Sequence, residues 1–269
     1  MLDTITSHAR LHAAWRRVRR NGAATGGDGE TAAQFAARLE ARLERLRADL
    51  RHGRYRPGPL RRVALARPDG RTRTLRIPGL ADRVVQTATQ AVLAEHLDTW
   101  MSPDSFGYRP GRSVDQALAR LRGRALGQRY VLDADIHAFF DCVPHDRLRD
   151  ELGIWITDPR VRSLLELWIT GFGGRRGLAQ GAPISPLLAN IFLHPLDAAF
   201  AREGISHVRY ADDFVALARD RREARAARRL AAGVLARRGL ELHPDKTAIR
   251  PLAEGLTFLG ERLIFETGP

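Results

Sequence analysis

The stretch that most limits what this chain can fold into is Arg209-Tyr210-Ala211-Asp212-Asp213-Phe214. Two adjacent acids lie between two apolar runs, 205–211 and 214–218, whose Val208, Tyr210, Phe214, Val215 and Leu217 are strand formers. The pattern reads as a hairpin with its turn at the acids. A tight turn lets both carboxylates face one pocket, where they repel each other unless a cation sits between them. Magnesium takes one or two carboxylates plus substrate phosphates and keeps water elsewhere. A plain polar turn accounts for the same six residues, so two readings stand at this point.

Composition narrows the partner. The 269 residues, 44% hydrophobic, suit one large domain or two lobes with a real core. A formal net charge of +13 calls for a polyanion, either nucleic acid or an anionic membrane. No apolar run is long enough to cross a bilayer and the N-terminus lacks a signal-peptide core, which favours nucleic acid and no membrane partner. One cysteine, Cys142, excludes an intrachain disulfide and fits a cytoplasmic location. Of the 44 basic residues only Lys246 is lysine, and lysine, unlike arginine, can release its proton at accessible pH.

In chain order, 8–20 reads as a short basic helix and 21–29 as a glycine-rich loop. Residues 31–52 read as one amphipathic helix with Phe35, Leu39, Leu43, Leu46 and Leu50 on its stripe, ended by Gly53. Strands 60–66 and 71–77 around Pro68-Asp69-Gly70 form a basic hairpin. Its Arg61, Arg62, Arg67, Arg71, Arg73 and Arg76 match phosphate oxygens in two-point fashion. Residues 80–97 are helical. The loop 105–112 mixes aromatics with arginines, a composition able to stack bases and hold phosphates. Ser113 and Gln116 fit a capping box opening a helix to about 126.

Residues 130–136 read as a strand whose period-2 alternation puts Asp133 and Asp135 on one face. Asp158-Pro159 starts a helix to about 170. Ser185 reads as the N-cap and Pro186 as N1 of the helix 187–200. An arginine-rich helix covers 221–239, a turn 243–247, and a last strand starts at Leu256. The order of elements gives an α+β fold with an antiparallel sheet carrying the acids.

Taken together, the motifs resemble a bacterial reverse transcriptase of the group II intron type. They are Arg-Ile-Pro followed by Asp82-Arg83, Ser-Phe-Gly-Tyr-Arg-Pro-Gly-Arg-Ser at 105–113, and Asp-Ile-His-Ala-Phe-Phe-Asp at 135–141. Gln-Gly-Ala-Pro-Ile-Ser-Pro from 180, Tyr-Ala-Asp-Asp, Lys246-Thr247 and Phe258-Leu259-Gly260 follow. All occur in the family's order, over about residues 8 to 265. The resemblance implies a right-hand polymerase of fingers and palm, its antiparallel palm sheet flanked by helices and its thumb missing or truncated. The expected division is fingers 1–128, palm 129–143, a fingers/palm connection 144–186, and palm again 187–269.

The resemblance also implies roles. Asp135, Asp212 and Asp213, with the Ile136 carbonyl, would hold two Mg2+ ions, for which Mn2+ can substitute. Lys246 matches a lysine proposed to protonate the leaving pyrophosphate. Arg67 and Arg73 would clamp the triphosphate, the first standing where relatives often carry lysine. Gln180, Gly181 and Ala211 would line the nucleotide pocket. Phe140 stands at the steric-gate position, with plain core packing as the competing role, one that Phe139 can take instead. Arg83, Arg109 and Arg112 would hold template, and Phe258, Leu259 and Gly260 would form the primer grip. Asp133 and Asp141 read as structural, Asp82 as a helix-terminus charge and Asp115 as a cap partner. His137 and Cys142 lie beside the site without a zinc-ligand spacing.

The implied activity is RNA-directed DNA synthesis, with RNA template, DNA primer and dNTPs as partners. The alternatives are a nucleic-acid-binding scaffold inactive without a missing thumb or partner, and an RNA-templated primase or template-independent transferase on the same site. The Gln-Gly turn separates the chain from diversity-generating relatives. The chain stops about nine residues after Phe-Leu-Gly, where the family continues into a thumb. A trimmed chain, a removed fusion partner and a natural short form each explain that end. The short end tilts the expected role from intron mobility toward CRISPR spacer acquisition or phage defence, with a CRISPR integrase or other protein supplying the thumb.

Overall fold

Where the acids sit is decided by one antiparallel sheet. The computed structural model describes residues 1–22, 24–66 and 72–265. Its helices are α1 (Leu2–Ile5), α2 (His8–Arg20), α3 (Ala32–Ala37), α4 (Leu39–Arg51), α5 (Leu80–Leu97), α6 (Val114–Arg124), α7 (Phe139–Cys142), α8 (His145–Trp155), α9 (Pro159–Gly171), α10 (Ser185–Arg202) and α11 (Arg221–Arg237). Its strands are β1 (Arg61–Ala66), β2 (Thr72–Ile77), β3 (Tyr130–Ala134), β4 (His207–Tyr210), β5 (Asp213–Ala218), β6 (Ala248–Pro251), β7 (Leu256–Phe258) and β8 (Glu261–Leu263). The expected α+β class holds.

Two compact units divide the chain: Met1–Leu97 with His145–Leu188, and Asp98–Pro144 with Ala189–Pro269. The first boundary therefore falls at 97/98, not at 128. The reason is α6, whose Ala117, Leu118 and Leu121 pack into one cluster with Val131, Val208, Val215 and Leu217 of the sheet. The stretch 144–186 likewise belongs to the first unit and is not a separate connection.

In the first unit α5 is buried nearly all round, with Leu80, Val84, Val85, Ala88, Leu93 and Leu97 inside together with polar Asp82, Arg83, Gln86, Thr87 and Thr89. Helices α2 and α4 pack against it. Asp82 in its first turn accepts from the Tyr55 hydroxyl (2.6 Å) and the Gly58 N–H (2.9 Å), and Trp168 Nε1 donates to Tyr55 (3.0 Å). Burial raises the Asp82 carboxyl, and these two hydrogen bonds offset part of the rise. The single helix expected over 31–52 is two. Thr31 and Gln34 form a capping box for α3, and Arg38 (φ −128°, ψ 31°) leaves helical geometry before α4. Gly53 ends α4 with φ +67°, as expected. Ser185 is the first helical residue of α10, and its hydroxyl donates to the Ala179 carbonyl (2.8 Å); it does not accept a backbone N–H as an N-cap would.

The sheet of the second unit has the order β4-β5-β3-β6, antiparallel throughout. Helix α11 lies on β3, β5 and β6 through a stripe of Ala224, Ala227, Ala231, Val234 and Leu235, small side chains that allow close approach. Asp220 caps that helix by accepting from Glu223 N–H at 2.7 Å. Strands β7 and β8 form a separate small hairpin.

Candidate active site

The hairpin expected at the acids is present in the second unit, and the strand expected over 130–136 ends at Ala134. Asp133 pairs with Val215 and Ala134 with Phe214 across β3–β5. One residue beyond that last pair, the same register carries Asp135 across from Asp213. Tyr210 pairs with Asp213, so Ala211 and Asp212 alone make the turn between β4 and β5. Ala211 takes φ +59°, a left-handed conformation that costs roughly 1–2 kcal/mol for a residue with a Cβ. Beyond β3 the 241–243 segment continues the pairing: His137 N–H donates to Glu241 O (2.9 Å) and His243 N–H to Asp135 O (2.8 Å). That bridge leaves the Ile136 carbonyl out of its bonds. It also sets the turn bearing Lys246, whose Nζ lies 2.5 Å from Asp135 Oδ2.

Desolvation pushes the Asp213 carboxyl up to about 6, and the neighbouring charges of Asp212 and Asp135 add to it. Asp133 is raised as well, chiefly by burial and secondarily by Asp135, against the pull of Arg250. Carboxylates that raise one another suit a divalent cation, which relieves the repulsion and takes oxygen donors. Asp135, Asp212 and Asp213 therefore fit the metal expected from the sequence. Of the two phenylalanines, Phe139 is in the core and Phe140 is half-buried, their rings 5.3 Å apart edge to face.

The turn is held from behind by a residue to which sequence reasoning gave no role. Arg209 is fully buried. Its Nε and Nη2 donate to the two Asp197 carboxylate oxygens at 2.8 and 2.6 Å, and its Nη1 to Asn190 Oδ1 (3.0 Å) and the Ala211 carbonyl (2.8 Å). Burial alone would raise Asp197, but the Arg209 charge and hydrogen bonds outweigh it and hold the carboxyl down at about 2. Asn190 Nδ2 donates to the Gly107 carbonyl (2.8 Å), and Phe106 N–H to the Arg209 carbonyl (2.9 Å). A Cβ at Gly107 would stand 2.4 Å from Ala211 N, so only glycine fits there. The signal was present: Arg209 lies in an apolar strand, and Asp197 is the one acid in α10.

In the first unit Gln180 and Gly181 lie along β2. Arg76 N–H donates to the Gln180 carbonyl (2.7 Å), Arg73 Nε donates to Gln180 Oε1, and Gly181 (φ +108°) sits against the Arg76 carbonyl. Arg73 and Gln180 are thus brought together. Arg67, Arg71 and the Pro68-Asp69-Gly70 turn lie outside the described residues.

Some of the expected nucleic-acid contacts do not survive the geometry. Arg109 is buried and binds its own loop, through Asp98 Oδ1 (2.7 Å), Asp98 O (3.0 Å) and Ser105 O (2.7 Å). Arg83 is buried and donates to Ala24 O. Arg76 binds the Phe172 and Leu178 carbonyls (2.7 and 3.2 Å). Each guanidinium is taken up by backbone carbonyls of loops that lack ladder partners. Arg112 is half-buried over the Phe106 ring, and Tyr108 is 49% exposed on the same loop. The Phe258 side chain is core, which leaves the Leu259-Gly260 turn (φ +54° and +85°) as the accessible part of the expected primer grip.

The sheet order and the acids at its end are those of the palm of a right-handed nucleic-acid polymerase. The family model described as "Reverse transcriptase (RNA-dependent DNA polymerase)" matches residues 65–263, and the chain belongs to that family of RNA-directed DNA polymerases, on its group II intron-like branch. It is 32% identical to Protein YkfC of Escherichia coli (strain K12), over 89% of this chain and 75% of YkfC. It is 30% identical to the group II intron-encoded protein LtrA of Lactococcus lactis subsp. cremoris over 59% of this chain and 28% of LtrA. Among solved structures a chain of a partial Cas6-RT-Cas1–Cas2 complex matches at TM-score 0.50 and 26% identity, covering 88% of this chain and 41% of that one. The chain therefore spans less than half the length of LtrA and of the Cas6-RT-Cas1 chain. Among the described residues no helix is long and apolar enough to cross a membrane.

Proposed function

We propose that this chain extends a DNA primer on an RNA template. The observation that carries the reading is that the charges of Asp212 and Asp135 both act on the Asp213 carboxyl at the end of β3–β5, beside a turn fixed by a buried ion pair. The primer 3′-hydroxyl attacks the α-phosphate of a dNTP in line, a new phosphodiester forms and pyrophosphate leaves. Asp135, Asp212 and Asp213, with the Ile136 carbonyl, would hold two Mg2+ ions, which when bound stabilise the attacking and leaving oxygens. The Lys246 ammonium, which contacts Asp135 Oδ2, would give its proton to the departing pyrophosphate. Arg73 and Gln180 bind the triphosphate, Phe140 tests the sugar for a 2′-hydroxyl, and Tyr108 with Arg112 contacts template.

Primer extension on poly(rA) with oligo(dT), dTTP and magnesium tests this. The parent chain extends, and Asp212→Ala loses at least about 10³-fold, the several kcal/mol that metal-held charge supplies to the transition state. Comparable extension by both chains would remove the site assignment. No extension by either, with RNA still bound, would favour the scaffold reading. For the pathway, the likeness to the Cas6-RT-Cas1–Cas2 chain supports spacer acquisition with an integrase partner, whereas that to LtrA supports intron mobility. Co-purification of this chain with a Cas1-type integrase distinguishes the two.

A further inference from the structure

The first unit carries a second convergence of ligand-type side chains. His8 and His12 lie one turn apart on α2, and Glu40 stands in the first turn of α4. Their donor atoms form a nearly equilateral triangle. His8 Nε2 is 3.1 Å from Glu40 Oε2, His12 Nε2 is 3.2 Å from the same oxygen, and the two Nε2 atoms are 3.1 Å apart.

Hydrogen bonds alone do not satisfy that triangle. If both imidazoles carry a proton on Nε2, both donate to the same Glu40 oxygen, which crowds the two hydrogens together and leaves no acceptor between the rings. If one carries its proton on Nδ1, its bare Nε2 can accept from the other ring but turns a lone pair toward the carboxylate. Glu40 is ionised at neutral pH, since hydrogen bonds from His8 and then His12 hold its carboxyl below the ordinary range. A cation at the centre engages a lone pair from all three atoms at once. Bonds of about 2.0–2.1 Å at tetrahedral angles set donor atoms about 3.3 Å apart, close to the sides observed.

We propose that His8, His12 and Glu40 bind a zinc ion, with the fourth position open to water. Two imidazoles and one carboxylate are a zinc donor set, and paired histidines four apart on one helix face are a recurrent way to present it. Magnesium and calcium prefer all-oxygen shells, so this site and the carboxylates of the second unit select different ions. Side-chain exposures of 64% for His8 and 70% for Glu40 leave the ion a path from solvent. The ion ties α2 to α4, beside the contact of Trp15 with Phe35 (ring centroids 4.7 Å) that already fastens α2 to α3.

The test uses the full chain without a histidine tag, stripped with chelator and titrated with zinc chloride in a calorimeter. The expected result is one zinc per chain at a Kd on the order of 1 μM, with a rise in Tm on zinc addition. His8→Asn/His12→Asn loses that uptake and the zinc-dependent rise in Tm, while its circular dichroism and zinc-free melt match the parent. Asp135→Ala/Asp212→Ala retains both. Cobalt substitution gives visible tetrahedral absorption in the parent and not in the histidine variant. No stoichiometric uptake by the parent, or equal uptake by the histidine variant, overturns the proposal.

Discussion

The two hairpins proposed to carry the chemistry are built in opposite ways. β1 is exposed except for half-buried Val63, and β2 is half-buried at Arg73, Leu75, Arg76 and Ile77. β5 is buried from Phe214 to Ala218, β4 from His207 to Arg209, and the turn between them is bonded from behind by Arg209. The difference follows from what each meets. A guanidinium that follows a mobile triphosphate gains from a strand free to adjust. Carboxylates that share an ion need separations held within about 0.5 Å, which only a packed and fully hydrogen-bonded setting provides.

The contrast is broken most forcefully at Arg209. Arg209→Met leaves the buried Asp197 with only His207 Nε2, 3.5 Å from its Oδ1, with an expected loss of about 3–5 kcal/mol in urea unfolding. Arg209→Met/Asp197→Leu removes both charges and recovers most of that stability. If the double variant folds well yet no longer extends primers, the pair serves to position the turn. If it polymerises normally, the contrast between the hairpins is only one of burial.

Acid gives the next effect. Asp197 is held down at about 2 in the folded chain against an ordinary value of 3.8. Its contribution is therefore complete above about pH 4 and lost as pH falls from there toward 2, on the order of 2 kcal/mol. Melts of the parent should show this window, and melts of Asp197→Asn should lose less stability across it, the rest coming from other lowered carboxyls such as Asp158. A parent flat across that range would mean that Asp197 is not held as described.

The smallest effect tests the exposed hairpin. Arg73→Ala should raise the dNTP KM roughly tenfold, the low end of what a charge-assisted hydrogen bond contributes. Its stability should stay within about 0.5 kcal/mol of the parent, as for other surface changes. A large loss of stability would mean that Arg73 is a structural residue like Arg76.

Local pattern carried much of this structure, and contact between distant segments carried the rest. The helix over 80–97, the capping box at Ser113 and Gln116, the Asp158-Pro159 start and the acid hairpin all rest on interactions a few residues apart, and all are present. The break at Arg38 was hidden because its neighbours keep helical periodicity on both sides. The fates of Arg76, Arg83 and Arg109 could not be read from a chain with 44 basic residues, since arginines that grip carbonyls look the same as those that grip phosphates. Arg209 belongs to the acid motif, but its partners Asp197 and Asn190 lie 12 and 19 residues away.

Gly107 and Ala211 also bear on how such a chain can change over time. The 2.4 Å that a Cβ at 107 would leave to Ala211 N makes this a site where one methyl group reaches the acids without touching them. Drift there is blocked in single steps: a larger residue at 107 is tolerated only after the turn has already shifted, and a shifted turn has no use until the loop yields. A deep mutational library selected for DNA synthesis would read this out as two silent columns, one at 107 and one at 211. The acids would then be protected by the narrowness of the route to any alternative as well as by their chemistry.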